Sequence, residues 1–319
     1  MKTIGLLGSG KIALEYAKVI KDLGYSIDFV SSSSQNSKSW KKFVRANPKV
    51  RYMNTNSIIK DKRINYVFSF LPHIKQMDYF PKLLSTKKNI FFEKPFFNHA
   101  KKFEKLILKN KRNLKNKYIS FNRRFYDVVN ILKKRVNRKD DIKLIRVNIS
   151  ENFSKKTLNK SYKFKKNFPY FGSSSHMIDL LFYLFKNIRY EKNYAKINSK
   201  NYPSRHIILK CNKGTPIFLF IEKNAPLKNG IEIVFDDDTI WSLAPIERIR
   251  VYKGYDVKKS NHKNINYLNY EQKLIYEKQE KSYFKPGLKR TVQNFLKKKN
   301  YKINFREHLD YLKLYEKIF

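Results

Sequence analysis

Over its first third the chain alternates short apolar runs with amphipathic segments. Lys2-Thr3-Ile4-Gly5-Leu6-Leu7 is nearly all apolar and predicts a buried strand, and Leu14 to Leu23 follows a helical period. Tyr25 to Val30 predicts a second strand and Trp40 to Ala46 a short helix. Ile64 to Leu71 is another buried-strand run, closed by Pro72-His73, and Gln76 to Ser85 predicts the next helix. A strand over Asn89 to Phe92, a helix over His99 to Lys109 and a strand over Tyr118 to Phe121 complete the series. This βα alternation predicts a doubly wound parallel sheet over residues 1–121.

Beyond residue 121 the pattern changes. Tyr126 to Val136 has the spacing of an amphipathic helix, and Lys143 to Phe153 alternates as a long strand with Leu144, Arg146, Asn148 and Ser150 in phase. Ser174 to Phe185 predicts a helix. Four strands follow, near His206–Asn212, Pro216–Lys223, Gly230–Phe235 and Ile249–Tyr252. Asn212-Lys213-Gly214, Asn229-Gly230 and Asp236-Asp237-Asp238 separate them as turns. Consecutive strands with short turns predict an open, mostly antiparallel sheet. Closing helices are expected over Lys289–Lys299 and Arg306–Phe319. The expected plan is therefore α/β: a Rossmann domain over 1–121, then an α+β substrate-binding and oligomerisation domain over 122–319.

Length and composition suit two folded domains: 319 residues, 41% hydrophobic and 15% aromatic. The single cysteine, Cys211, excludes an internal disulfide and fits a reducing, cytoplasmic setting. The chain has no 18-residue apolar run, so no transmembrane helix is expected, and its strand-like start does not read as a signal peptide. The formal net charge of +44 raises the question of nucleic acid. The basic residues are spread along the whole chain, however, and most are lysine. Abundant Lys, Asn, Ile, Phe and Tyr with few Gly and Ala is the residue usage that AT-rich codons favour. No nucleic-acid recognition motif accompanies the charge, so no specific nucleic-acid partner is expected.

Candidate chemistry starts at Gly8-Ser9-Gly10-Lys11-Ile12-Ala13, a G-x-G-x-x-A turn between the first strand and the first helix. Gly8 permits the tight turn, Gly10 lets the backbone approach a pyrophosphate, and Ala13 lets helix and strand pack closely. The anion then lies at the helix N-terminus, on free N–H groups. Ser9, Lys11 and Ile12 complete this candidate cofactor site. An NAD-type unit expects an acidic residue at the end of the second strand, but the chain runs into Ser31-Ser32-Ser33-Ser34 there, and Asp28 comes too early. Ser31 and Ser32 with Lys38 favour NADP over NAD. Leu71 and Pro72, after the third long apolar run, and Glu93 with Lys94 lie at strand ends that face a cofactor. The histidines show no metal-ligand spacing, and no metal is predicted.

Three pieces form one constellation: G8-S-G-K-I-A13, E93-K-P95 and H176-x-x-D179. Together with Asn122-Arg123-Arg124-Phe125 and Ser173-Ser174-Ser175-His176-Met177-Ile178-Asp179, they resemble the Gfo/Idh/MocA family of nicotinamide-dependent oxidoreductases, the glucose-fructose oxidoreductase and inositol dehydrogenase type. The resemblance covers nearly the whole chain. It implies a sugar, sugar phosphate or nucleotide sugar as the small-molecule substrate. It also implies that Lys94 bonds the reacting oxygen and that His176 is the acid/base; Asp179, three residues on and on the same helix face, either orients the imidazole or caps a polar network. Arg123 and Tyr170 are further candidate substrate contacts. The second sheet is expected to floor the pocket with one face, where Glu151 stands on the long strand, and to pair copies of the chain with the other. One departure stands out. Many members carry an aspartate four residues before the histidine, where this chain has Gly172. Tyr170, Tyr162 and Asn152 are candidate substitutes. The alternative is a dinucleotide-binding sensor or partner protein that keeps the fold without the reaction.

Overall fold

The computed structural model describes residues 2–94, 99–138, 141–151, 172–194, 204–212, 214–259, 268–297 and 305–319. The chain forms two compact units: Met1–Phe125 with Ser282–Glu316, and Tyr126–Lys281 with Lys317–Phe319.

The first unit is built on six strands: β1 (Ile4–Leu7), β2 (Phe29–Ser31), β3 (Arg51–Tyr52), β4 (Tyr66–Ser69), β5 (Asn89–Glu93) and β6 (Lys117–Ser120). All neighbours are parallel, in the order β3-β2-β1-β4-β5-β6. Between them run α1 (Lys11–Asp22), α2 (Lys38–Ala46), α3 (Thr55–Lys60), α4 (His73–Ser85) and α5 (Ala100–Lys109). Every residue of β1, β4 and β6 is buried, as expected of parallel strands covered on both faces. The face of α1 carrying Ala13, Tyr16, Ala17 and Ile20 packs inward at helical spacing. Strand order reverses about β1, which puts a crevice at the carboxyl ends of β1 and β4.

Several elements depart from the sequence expectation. The second strand is the three residues Phe29–Ser31. Asp28 precedes it, and its carboxylate accepts the Ile4 N–H at 2.8 Å, an edge role in the sheet. Two-residue β3 and six-residue α3 are too short to leave a period in the sequence.

The second unit holds α6 (Asp127–Val136), β7 (Ile142–Glu151), α7 (Ser173–Leu184) and seven further strands. These are β8 (Arg189–Asn193), β9 (Arg205–Cys211), β10 (Thr215–Lys223), β11 (Gly230–Phe235), β12 (Thr239–Leu243), β13 (Arg248–Lys259) and β14 (Leu268–Gln279). They form one sheet ordered β14-β13-β12-β11-β7-β10-β9-β8. Among the described strands only the central β7–β10 pair is parallel, so the sheet is mostly antiparallel. Along β7 the buried positions alternate as Ile145, Val147, Ile149 and Glu151. Cys211 is buried, which pushes its thiol up to about 12 and keeps it protonated. Every residue of β14 is exposed, Leu268, Tyr270, Leu274 and Tyr276 on alternate positions among them, and this strand was not expected from the sequence.

The closing helices, α8 (Leu288–Leu296) and α9 (Phe305–Ile318), correct the domain division. Chain order assigns them to 122–319, but residues 282–316 cluster with the first unit. Leu288, Val292, Phe295 and Leu296 join the core of the parallel sheet. The Phe295 ring meets Phe68 at 5.0 Å and Phe91 at 5.3 Å, edge-on. Just before the unit boundary after Phe125, buried Arg124 forms an ion pair with Glu307 of α9.

Candidate active site

The glycine turn lies between β1 and α1. Gly8 has φ of +104°, and a Cβ there would stand 2.9 Å from the Phe70 carbonyl oxygen, so the position accepts glycine alone without strain. Gly10 caps α1, and a Cβ there would meet nothing within 4 Å among the described residues. No side chain caps the helix and no acidic residue occupies its first turn. The first N–H groups of α1 therefore face open space with the positive end of the macrodipole behind them. That cradle fits the pyrophosphate of a dinucleotide.

Beside it lies a cluster of hydroxyls. Ser31 is buried under the turn, and its Oγ accepts the Gly8 N–H at 3.2 Å and the Thr55 hydroxyl at 3.0 Å. Ser9 lies in hydrogen-bond range of Ser32 at 2.8 Å and of Ser39 at 3.2 Å, and the Ser32 and Ser37 hydroxyls are hydrogen-bonded at 2.9 Å. Ser37 caps α2 by accepting the Trp40 N–H at 3.2 Å. Lys38 follows it, exposed in the first turn of α2. Sequence reasoning missed Ser37, Ser39 and Thr55. The N-cap position of Ser37 was a readable signal, whereas Thr55 comes in through the short α3.

The carboxyl ends of β4, β5 and β6 share the same sheet edge, because all are parallel to β1. Leu71 and Pro72 follow β4, with Pro72 capping α4. Glu93 ends β5, and its carboxylate accepts the Tyr16 hydroxyl at 2.6 Å. Tyr16 also pairs with Ser120 at 2.9 Å. Gln76 binds the Glu93 carbonyl at 2.5 Å through its amide N–H and accepts the Ser69 hydroxyl at 2.6 Å. Burial raises the Glu93 carboxyl, while the Tyr16 bond and the nearby Lys94 charge pull it back. Burial, and then the Glu93 charge, holds the Tyr16 hydroxyl well above 10. Lys94 follows directly and is partly buried. Arg123 sits in a 3₁₀ turn, Asn122–Phe125, and its Nη1 is buried with no hydrogen-bond partner among the described residues.

In the second unit, α7 carries His176 and Asp179, both buried. At its start the Glu151 carboxylate accepts the Ser173 N–H at 3.1 Å and the Ser174 N–H at 2.5 Å. The predicted residues thus form two sets, one per unit. Pro95, Asn152, Tyr162 and Tyr170 lie outside the described residues. Among the described residues no cluster of three His, Cys, Asp or Glu side chains could hold a metal, and no helix is long and apolar enough to cross a membrane.

A parallel six-stranded sheet in this order, opened by a glycine turn into a helix, defines a dinucleotide-binding Rossmann domain. Residues 2–120 match the family model described as GFO_IDH_MocA, oxidoreductase family, NAD-binding Rossmann fold. The match spans β1 through β6 of the parallel sheet, a little over a third of the chain. Among curated proteins, none matches the sequence. Solved structures share the fold over nearly the full length. A dehydrogenase (MviM) from Clostridium difficile is 17% identical with a TM-score of 0.75, covering 99% of this chain and 98% of that one. UDP-N-acetylglucosamine 3-dehydrogenase from Acidithiobacillus ferrooxidans is 12% identical with a TM-score of 0.71, covering 99% and 96%. Biliverdin reductase from Synechocystis, in complex with biliverdin and NADP+, is 15% identical with a TM-score of 0.70, covering 98% and 96%.

Proposed function

We propose that the protein is an NAD(P)-dependent oxidoreductase acting on a carbonyl or alcohol carbon of a sugar, sugar phosphate or nucleotide sugar. The observation that carries this reading is Lys94, which follows β5 at the same sheet edge as the open glycine cradle. The nicotinamide supplies or accepts the hydride. Lys94 holds the substrate oxygen, where an ammonium stabilises the charge that develops as the carbonyl is reduced. His176 delivers or removes the proton at that oxygen, and Asp179, one turn along α7, orients the imidazole. Arg123, with a buried unpartnered nitrogen, offers a contact for an anionic substrate group.

NADP(H) is the preferred cofactor in this reading. The end of β2 carries hydroxyls and Lys38 in place of a carboxylate, and Asp28 is already bonded to Ile4. A homo-oligomer formed through the second sheet and a cytoplasmic site of action accompany the proposal. Exposed Tyr255, Val257, Tyr270 and Ile275 on β13 and β14 support the first.

The test follows the near-ultraviolet absorbance of NADPH or NADH with a panel of keto-sugars and nucleotide sugars. Wild-type protein should consume reduced cofactor with one panel member. Lys94→Met should abolish that turnover while cofactor fluorescence still reports binding. Binding without turnover of any panel member would favour the sensor reading, which the glycine at 172 first suggested.

A further inference from the structure

Glu151 occupies an unusual place on β7. The strand buries alternate residues, Ile145, Val147 and Ile149, and the next in phase is a carboxylate that is 3% exposed. A buried carboxylate is costly unless it is paired. Here it accepts the first two N–H groups of α7, from Ser173 and Ser174 at 3.1 and 2.5 Å. Its backbone is fixed as well, since the Asn224 N–H bonds the Glu151 carbonyl at 2.8 Å. Gly172 caps α7 without a side-chain bond, and the helix has no acidic residue in its first turn. A Cβ at 172 would lie 2.7 Å from Glu151 Oε2 and 3.6 Å from its Cδ. The φ at Gly172 is −72°, so backbone freedom does not require glycine there. Space does: the Glu151 carboxylate fills the volume that a side chain at 172 would enter.

We propose that Glu151 is the positioning carboxylate of the His176 helix, supplied across space from the end of β7 and exchangeable with an acidic side chain at 172. Both oxygens grip the first turn of α7, and His176 stands two residues beyond Ser174. The grip fixes where that turn begins and which way its side chains point. Its negative charge also meets the positive end of the helix macrodipole. The glycine at 172 is thus the complement of Glu151 and not a sign of lost chemistry. The catalytic part of this inference rests on the reading of His176 as the proton relay.

The test compares wild type, E151Q, E151A, G172D and the double variant E151A/G172D, using NADPH and the panel sugar that wild type reduces. E151Q keeps the shape and removes the charge. It should lower kcat by about tenfold or more with KM for NADPH little changed, the pattern of a lost interaction in the chemical step. E151A should fall further, and the double variant should regain most of that loss. Turnover of E151Q within about threefold of wild type would leave Glu151 a helix cap only and overturn the positioning role. If wild type reduces no panel sugar, the oxidoreductase reading is what fails, and thermal midpoints then decide the exchange. G172D alone should melt below wild type, and the double variant above both single variants. A double variant that melts no higher than E151A would overturn the exchange.

Discussion

The hydroxyl of Tyr16 donates to the carboxylate of Glu93 at 2.6 Å. Tyr16 lies on α1, the helix that starts at the glycine cradle, and Glu93 is the last residue of β5, next to Lys94. Ser120 of β6 and Gln76 of α4 complete a buried network that joins two helices to the strand ends. The helix that follows the glycine turn and the segment bearing the candidate lysine are thereby tied by one hydrogen-bonded unit, whose members polarise one another in a low-dielectric setting.

Tyr16→Phe removes that tie and leaves the ring packing in place. The Glu93 carboxylate would lose a partner while staying buried, at a cost of about 1–3 kcal/mol. Chemical denaturation should show a lower midpoint with an unchanged slope. Because the Tyr16 bond pulls the Glu93 carboxyl down, that group should rise further in the variant. If the network aims Lys94, kcat should drop while the dissociation constant for NADPH stays near wild type. A variant with full turnover would confine the network to stability.

The hydroxyl cluster makes a separate prediction about cofactor choice. Ser32 bonds Ser9 and Ser37 at 2.8 and 2.9 Å, beyond the end of β2. Ser32→Asp places a carboxylate where a 2′-phosphate would come and where a ribose 2′-hydroxyl would accept one. NADPH affinity should fall by about tenfold or more through like-charge repulsion, and NADH affinity should hold or improve. Fluorescence titration with both cofactors checks this. Equal losses for both would mean that the cluster supports the turn without reading the ribose.

Much of the first unit was legible in the sequence for a physical reason. Buried parallel strands are continuous apolar runs, and a glycine turn between such a run and a helix has few other uses. What escaped was set by tertiary contact. Phe295 lies far from Phe68 along the chain, yet the two rings pack edge-on at 5.0 Å, so the closing helices looked like part of the second domain. All of β14 is exposed, and the alternation of Leu268, Tyr270, Leu274 and Tyr276, broken by Gln272 and Ile275, was too irregular to stand out as a strand. The role of Glu151 was hidden because its partners are the N–H groups of Ser173 and Ser174. One signal was present nonetheless: a carboxylate in phase with Ile145, Val147 and Ile149 breaks the strand's apolar face.

Two histidines predict the acid limb of stability. Burial lowers His73 to about 4, and burial with the Arg124 charge lowers His308 to about 3. Both fold neutral, so as pH falls below about 6.5 the unfolded chain takes up their protons first. The stability they contribute is complete above that pH and lost progressively towards 4 and 3. Each proton corresponds to about 1.4 kcal/mol per pH unit over the window. The raised Glu93 carboxyl works in the opposite sense, so the contribution is best read by difference. His73→Asn should flatten the loss between about pH 6 and pH 4 in denaturation midpoints. An acid limb identical to wild type would show that His73 is not held neutral.

The two glycines of the turn should separate folding from binding. At Gly8, alanine meets both an unfavourable φ of +104° and the Phe70 carbonyl oxygen 2.9 Å from the new Cβ. That backbone cannot yield easily, because the Gly8 N–H is bonded to Ser31 O at 3.1 Å and the Phe70 N–H to Leu7 O at 2.8 Å. Gly8→Ala should therefore cost at least about 1 kcal/mol and lower the melting temperature by several degrees, with or without cofactor. At Gly10 the same methyl meets nothing within 4 Å among the described residues, so the apo protein should melt within about a degree or two of wild type. The open space is the point: a pyrophosphate brought against the α1 N-terminus must come over Gly10. Gly10→Val should weaken NADPH and NADH together, by about tenfold or more, since both carry the same pyrophosphate. Calorimetry of the two variants with each cofactor distinguishes the effects. Undiminished affinity in Gly10→Val would place the dinucleotide somewhere other than this turn, and the assignment of Lys94 and the serine cluster would fall with it.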